Sequence, residues 1–183
     1  MAIPADDALL GDLAAGREEA FAQLYDLWGE RLLRAARDIC GSHEDAEDAV
    51  QDVFTGLVRA GPALAGVRNL KAYLFSALHR ATLRRAEKRR IEHPMDSAGI
   101  EPATKTTPPA AEAADRLHRA LDALPAEQRA VVALKVDGDL TFEEVGAVLA
   151  VSANTAASRY RYALARLRAA LGQGREAQQT ERT

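Results

Sequence analysis

The side chains best able to do chemistry fall into three groups. The first is a run of acids, Glu44, Asp45, Glu47, Asp48 and Asp52, with no lysine or arginine between Ser42 and Leu57. Carboxylates this dense serve metal ions or general acid–base catalysis, but no second acidic or histidine cluster converges on them. A helix dipole accounts for Glu44, Asp45 and Glu47 in a first turn. It does not account for Asp52, a turn further in on the face of Asp48, and self-repulsion there points to a basic protein partner. The second group is Cys40 with His43, a CxxH fragment that lacks the other half of a zinc site. The four histidines, His43, His79, His93 and His118, are scattered, and the chain has neither a glycine-rich phosphate loop nor a nucleophile elbow. Cys40 reads as a small core residue. The expectation is a protein without catalytic residues, cofactor or metal.

The third group is basic. Between Ser152 and Leu171 lie Arg159, Arg161, Arg166 and Arg168 and no acid, preceded by Asn154, Thr155 and Ser158. Short hydrogen-bonding groups followed by arginines suit base edges and phosphates. An ordinary helical hairpin with a solvated arginine face would carry the same residues. Further upstream, Arg80, Arg84 and Lys88 recur every fourth residue, flanked by Arg85, Arg89 and Arg90. Such a stripe follows a phosphate backbone by counterion release, or lies on a membrane surface. Tyr73 and Phe75 are placed either to stack on unpaired bases or to fill a core.

Helices must position all of these. Phe21, Leu24, Tyr25, Trp28 and Leu32 make one apolar face at helical spacing. A second helix opens at Ser42, an N-cap with Asp45 three residues on, and buries Ala46, Ala49, Val50, Val53, Phe54 and Leu57. After a Gly/Pro-rich break, Leu70, Leu74, Ala77, Leu78 and Ala81 form the stripe of a third, from about Leu70 to Arg90. Farther on, Leu117, Ala120, Leu121 and Leu124 share a face, Pro125 suits a helix start, and Val131, Val132, Leu134 and Val136 continue the core to a turn at Asp137-Gly138-Asp139. Thr141 with Glu144 is a capping box, and a short break at Val151-Ser152 leads to the arginine helix. Cap, helix, tight turn and second helix make a helix-turn-helix, with Gly146 allowing close crossing. No alternating β-branched segments are present, so the fold class is all-α.

The 183 residues carry a net charge of −3, which hides its distribution. Residues 1–70 hold 6 basic against 13 acidic side chains, 71–90 hold 7 against 1, 91–140 hold 5 against 9, and 141–183 hold 6 against 4. Alternating blocks suggest more than one charged partner. No apolar run approaches a membrane span, and acids stand where a signal peptide needs basic residues, so a cytoplasmic protein is expected. The single cysteine excludes an internal disulfide. Four of the seven prolines fall in 91–114, where large apolar residues nearly vanish. That segment reads as a flexible linker between a domain at 1–90 and a second at 115–171, followed by a polar, frayed tail at 172–183.

In this order the motifs resemble a bacterial extracytoplasmic-function (ECF) sigma factor of the sigma-70 family. GREEAFAQLYDLWGERLLRAARDI followed by EDAEDAVQDVFTGL looks like region two, most specifically Asp45 to Phe54. LDALPAEQRAVVAL and LTFEEVGAVLAVSANTAASRYRYALARLR look like region four. The resemblance covers about Asp7 to Leu171. It implies a transcription initiation factor that binds core RNA polymerase and promoter DNA. Asp45, Asp48, Gln51 and Asp52 would contact the clamp helices of the largest subunit. Arg68, Asn69, Lys71, Tyr73, Arg80, Arg84 and Lys88 would engage the minus-ten element. Asn154, Thr155, Ser158, Arg159, Arg161 and Tyr162 would read the minus-thirty-five element while region four meets the polymerase flap, and residues 91–114 would thread toward the RNA exit channel. The family leaves room for an anti-sigma factor. The chain departs from the pattern at Tyr73, where the family commonly has Trp, and at His79-Arg80, in place of Arg-Asn. It departs again at Ala150, often Gly, and at Ala157 and Tyr162, often basic. Two rival classes are a polymerase-independent helix-turn-helix regulator acting as a dimer and a helical enzyme using Cys40 or the carboxylates.

Overall fold

The structure is a computed structural model that describes residues 5–92 and 109–180. Helices α1 (Ala5–Ala14), α2 (Glu18–Cys40), α3 (His43–Ala60) and α4 (Leu70–Glu92) make the first unit, with a 3-10 turn at Gly61–Gly66. The second unit contains α5 (Pro109–Asp122), α6 (Ala126–Val136), α7 (Phe142–Leu149) and α8 (Ala153–Thr180). No strand occurs among the described residues.

Local signals account for most boundaries. The Ser42 hydroxyl accepts the Asp45 amide at 3.3 Å to start α3, and Gly41, at φ 68°, ends α2 with its amide on the Arg37 carbonyl. Asn69 opens α4, its Oδ1 accepting the Ala72 amide at 2.9 Å. The expected stripes are largely buried: Leu24, Trp28 and Leu32 on α2, Ala46, Ala49, Val53 and Leu57 on α3, and Leu70, Leu74 and Leu78 on α4. Phe75 is fully buried with its ring T-shaped to Trp28, centroids 6.2 Å apart, so it is a core residue and not a base-stacking one.

Several elements differ from the sequence pattern. Helix α1 has only ten residues, yet Leu9, Leu10 and Leu13 are buried, and the helix packs chiefly on the Gly61–Gly66 turn. Tyr25, Leu117 and Val136 point outward although each belongs to an apolar stripe. Pro125 is the N-cap of α6, one residue before the helix. Helix α8 runs past Leu171 to Thr180: apart from Gly172 and Gly174, the residues there are mostly strong helix formers, so the chain extends an existing helix instead of fraying. The expected linker lies mostly outside the described residues, with α4 reaching Glu92 and α5 beginning at Pro109.

The two units meet. Val131, Ala133, Leu134, Leu140, Val145 and Ala156 share one continuous core with α1–α4, while Ala120, Leu121, Leu124, Val132, Ala163 and Leu167 form a second, smaller core. At the junction α2 lies along α6, and the Arg31 Nε donates to the Asp137 carbonyl at 2.8 Å while Arg34 Nε reaches Asp137 Oδ1 at 3.1 Å. Asp137 is 8% exposed. Nearby, burial pushes the Asp38 carboxyl up to about 6; Asp137 and Asp122 push the same way, against His118 and Arg129. Because the native state holds this proton more tightly than the unfolded chain, ionising Asp38 costs stability as pH rises through that range.

Two outcomes are expected. Asp38→Asn melts at a higher temperature than the parent at pH 7.5, and the difference shrinks toward pH 5; equal melting curves at both pH values would refute the burial argument. Ala150, at φ 54° and ψ 41°, sits in the left-handed region, so Ala150→Gly should stabilise the fold by roughly 0.5–1 kcal/mol in urea unfolding.

Candidate nucleic-acid interface

The α7–α8 pair is a complete helix-turn-helix. Thr141 Oγ1 accepts the Glu144 amide at 3.2 Å, and Glu144 Oε2 accepts the Thr141 amide at 2.7 Å, closing the capping box. Ala150 turns the chain, the Val151 amide returns to the Gly146 carbonyl at 2.9 Å, and Ser152 caps α8 through the Thr155 amide at 3.1 Å. A Cβ on Gly146 would stand 2.7 Å from the Val151 carbonyl oxygen, so the crossing requires glycine. Val145 and Ala156 are fully buried in the seam.

Ala156, Ala163 and Leu167 turn α8 inward and so fix its outer face. Asn154, Thr155, Arg161, Tyr162, Arg166 and Arg168 are exposed, and Ser158 is half-exposed. Asn154, Ser158 and Tyr162 recur every fourth residue, and Arg161 falls three after Ser158, along one face. Tyr162 is 67% exposed, and the Arg161 guanidinium donates to Ser158 Oγ at 3.1 Å. Arg159 does not join them: it lies back against α6 and pairs with Glu127 at 2.7 Å. The Thr155 hydroxyl is already 2.8 Å from that of Ser152, which ties it to the cap.

Helix α4 divides its cations between two faces. Arg80 and Arg84 are exposed, whereas Arg85 ion-pairs with Asp48 and, at 3.4 Å, with Asp52. Arg89 meets Asp45 at 3.0 Å, and Arg84 lies 3.9 Å from Asp52. Lys88 is exposed on the same helix, and the Arg90 side chain lies outside what is described. Tyr73 is half-buried against the core. Arg68 and Asn69 are exposed at the entrance to α4, where Asn69 Nδ2 donates to Glu144 Oε1 at 2.5 Å and Lys71 Nζ to the Asp139 carbonyl at 2.6 Å. Burial, with Arg80 beside it, lowers the pKa of His79 and keeps the ring neutral at this departure from the family pattern.

The acids of α3 thus find basic partners inside the chain, which removes self-repulsion as the argument for an external one. What the sequence does not reveal is a groove beside them. It encloses about 950 Å³ between α2 and α3, with Phe21, Tyr25, Val50 and Phe54 as its floor and Glu18, Asp26 and Glu47 at its rim, and Gln51 opens into it. The Tyr25 and Phe54 rings lie 5.4 Å apart, and Tyr25 is 60% exposed. Its signal was the doubled aromatic pair at positions 21 and 25, one residue off the Leu24–Trp28 stripe.

The surroundings of Cys40 do not tune it for nucleophilic attack. Burial, then the Asp45 charge, raises the Cys40 thiol to about 11, the wrong direction for a nucleophile. No group of three or more His, Cys, Asp or Glu side chains among the described residues is arranged to hold a metal ion. No helix among them is long and apolar enough to cross a membrane.

Residues 24–91 match the family model for sigma-70 region 2, and residues 120–169 match that for sigma-70 region 4. The chain is 34% identical over 172 residues to the ECF RNA polymerase sigma factor SigM of Mycobacterium tuberculosis, spanning 91% of this chain and 85% of that protein. It is 28% identical over 170 residues to SigK of Mycobacterium ulcerans, covering 88% and 91%. Among solved structures, CnrH in complex with the cytosolic domain of CnrY aligns at a TM-score of 0.69 and 26% identity, over 92% of this chain and 98% of that one. The sigma factor RpoE in complex with the anti-sigma factor NepR from Bartonella quintana aligns at 0.68 and 27%, over 83% and 96%. With region 2 and region 4 in the expected order and relatives of this kind across nearly its whole length, the chain belongs to the ECF sigma factors of the sigma-70 family.

Proposed function

We propose that this sigma factor, a transcription initiation factor and not an enzyme, gives core RNA polymerase its promoter specificity through two separate DNA-reading surfaces and one polymerase dock. The observation that carries the reading is the outer face of α8, where Asn154, Thr155, Arg161, Tyr162, Arg166 and Arg168 are exposed on a fully capped helix-turn-helix. Asn154, Thr155, Ser158, Arg161 and Tyr162 are assigned to the minus-thirty-five major groove. The stripe from Asn154 to Arg166 is about 18 Å long, enough to follow a groove roughly 12 Å wide. Arg159 is assigned to the flanking phosphate, which it reaches by exchanging Glu127. Arg68, Asn69, Lys71, Tyr73, Arg80, Arg84 and Lys88 are assigned to the minus-ten strand and its backbone.

The dock is assigned to Asp45, Asp48, Gln51 and Asp52 together with the groove that Gln51 enters. An aromatic floor inside an acidic rim suits the apolar edge of a basic helix, as in a clamp coiled coil. The chain's division into region two (1–90), linker (91–114), region four (115–171) and tail (172–183) follows from the same reading. So does action in the cytoplasm, where polymerase and promoters are. The related CnrH structure holds the cytosolic domain of CnrY, and that of the sigma factor RpoE holds the anti-sigma factor NepR, which supports an anti-sigma partner here as well.

Run-off transcription with purified core polymerase tests the whole reading: promoter-specific transcripts should require this chain, and footprinting of a promoter duplex should require core enzyme. Tight dimeric binding without polymerase would favour a free-standing regulator. Arg161→Ala should weaken upstream-element binding by about 1–3 kcal/mol if the contact is to a base. Tyr25→Ala with Gln51→Ala should weaken core binding by roughly tenfold or more while leaving upstream-element binding by region four unchanged; undiminished core binding would overturn the dock.

A further inference from the structure

The residues assigned to the minus-ten strand at the entrance to α4 are occupied by region four. Asn69 uses both ends of its amide, Oδ1 on the Ala72 amide of its own helix and Nδ2 on Glu144 Oε1. Lys71 donates to the Asp139 carbonyl, with the Asp139 carboxylate 3.9 Å away. Glu144 accepts Asn69 through one oxygen and the Thr141 amide through the other. Burial works against its charge, but hydrogen bonds from Thr141 and Asn69 and the charge of Lys71 hold its pKa below the ordinary carboxylate range, so it stays an anion. An asparagine amide donating to one carboxylate and a lysine ammonium donating to a carbonyl, with a second carboxylate at ion-pair distance, resemble the donor set by which a protein holds a nucleic-acid phosphate.

We infer that Glu144 and Asp139 stand in for a DNA phosphate, so that region four competes with the minus-ten strand for Asn69 and Lys71. The inference rests on the assignment of α4 and its entrance to DNA. The competition is held in place from the other side of the junction. Arg31 and Arg34 fasten Asp137, two residues before Asp139, to α2, and Leu140 and Val145 are fully buried in the shared core. Asp139 has φ 48°, and its carbonyl lies within hydrogen-bond reach of Lys71 on α4. The same Glu144 caps α7, so region four's reading helix pair and region two's strand-reading entrance share one carboxylate. Opening the junction frees Asn69 and Lys71 and separates the two reading surfaces in one movement.

The test uses the full chain and a fluorescein-labelled single-stranded 12-mer of random sequence, followed by anisotropy. Glu144→Gln with Asp139→Asn removes both charges while keeping a capping-box residue and one that tolerates positive φ. Arg31→Ala with Arg34→Ala releases Asp137 without touching an assigned DNA contact. Both variants should bind the 12-mer at least about fivefold more tightly than the parent. A Glu19→Gln/Glu143→Gln variant with the same change of net charge should not. Spin labels at Arg59→Cys and Ala169→Cys, on a Cys40→Ser background, should report a longer and broader distance in the Arg31/Arg34 variant. A lengthened distance with unchanged affinity would overturn the competition, as would an equal gain in the charge-matched control. If Lys71→Ala with Arg80→Ala in the opened variant leaves the gained affinity intact, the assignment of α4 to DNA fails instead, and the competition with it.

Discussion

A single buried carboxylate sets how the two halves of this chain stand to one another. Asp137 closes α6 and is 8% exposed, a position where an unpaired charge would be costly. Arg34 meets its oxygen and Arg31 its carbonyl, while Arg31 also lies over the Trp28 ring at 4.7 Å. Trp28 in turn packs on Phe75 of α4. A chain of contacts therefore runs from the turn before the helix-turn-helix, through α2, into the helix assigned to the minus-ten strand. Burial raises the pKa of Asp137 even against its two arginines, so the junction binds protons more readily than an open chain would.

The α3–α4 interface is arranged on the same principle, with opposite charges closing a contact that hydrophobic packing has already positioned. Its ion pairs are partly exposed, and each contributes little alone. Their effect is to sort the cations of α4. Arg85 and Arg89 pair with α3, Arg84 is exposed at the edge of that interface within 3.9 Å of Asp52, and Arg80 remains outward. A helix that looks uniformly basic in sequence thus has a face for its neighbour and a face for a polyanion.

Much of this was legible in the residues, because local chemistry determined it. Ser42 and Thr141 cap helices where the pattern places caps, α4 begins at Leu70, and the region-four turn closes at Ala150. Features that depend on partners far away in the chain were not legible. Arg159 looks like a DNA contact until Glu127, thirty-two positions earlier, is seen beside it. The α3 acids look unpartnered until the α4 arginines arrive. Helix α1 is too short to announce itself, and packing on the Gly61–Gly66 turn and on α2 makes its leucines core. The groove escaped notice because a 3.6-residue period cannot say whether an aromatic on the edge of a stripe ends inside or out, and Tyr25 ends out.

Cys40 is the only cysteine, and burial holds its thiol near 11, well above the ordinary value. Oxidants attack the thiolate, and at neutral pH this residue is almost entirely protonated. A half-buried, protonated thiol is therefore a poor target for peroxide and for disulfide exchange, which sets Cys40 apart from the exposed, low-pKa cysteines that sense oxidants.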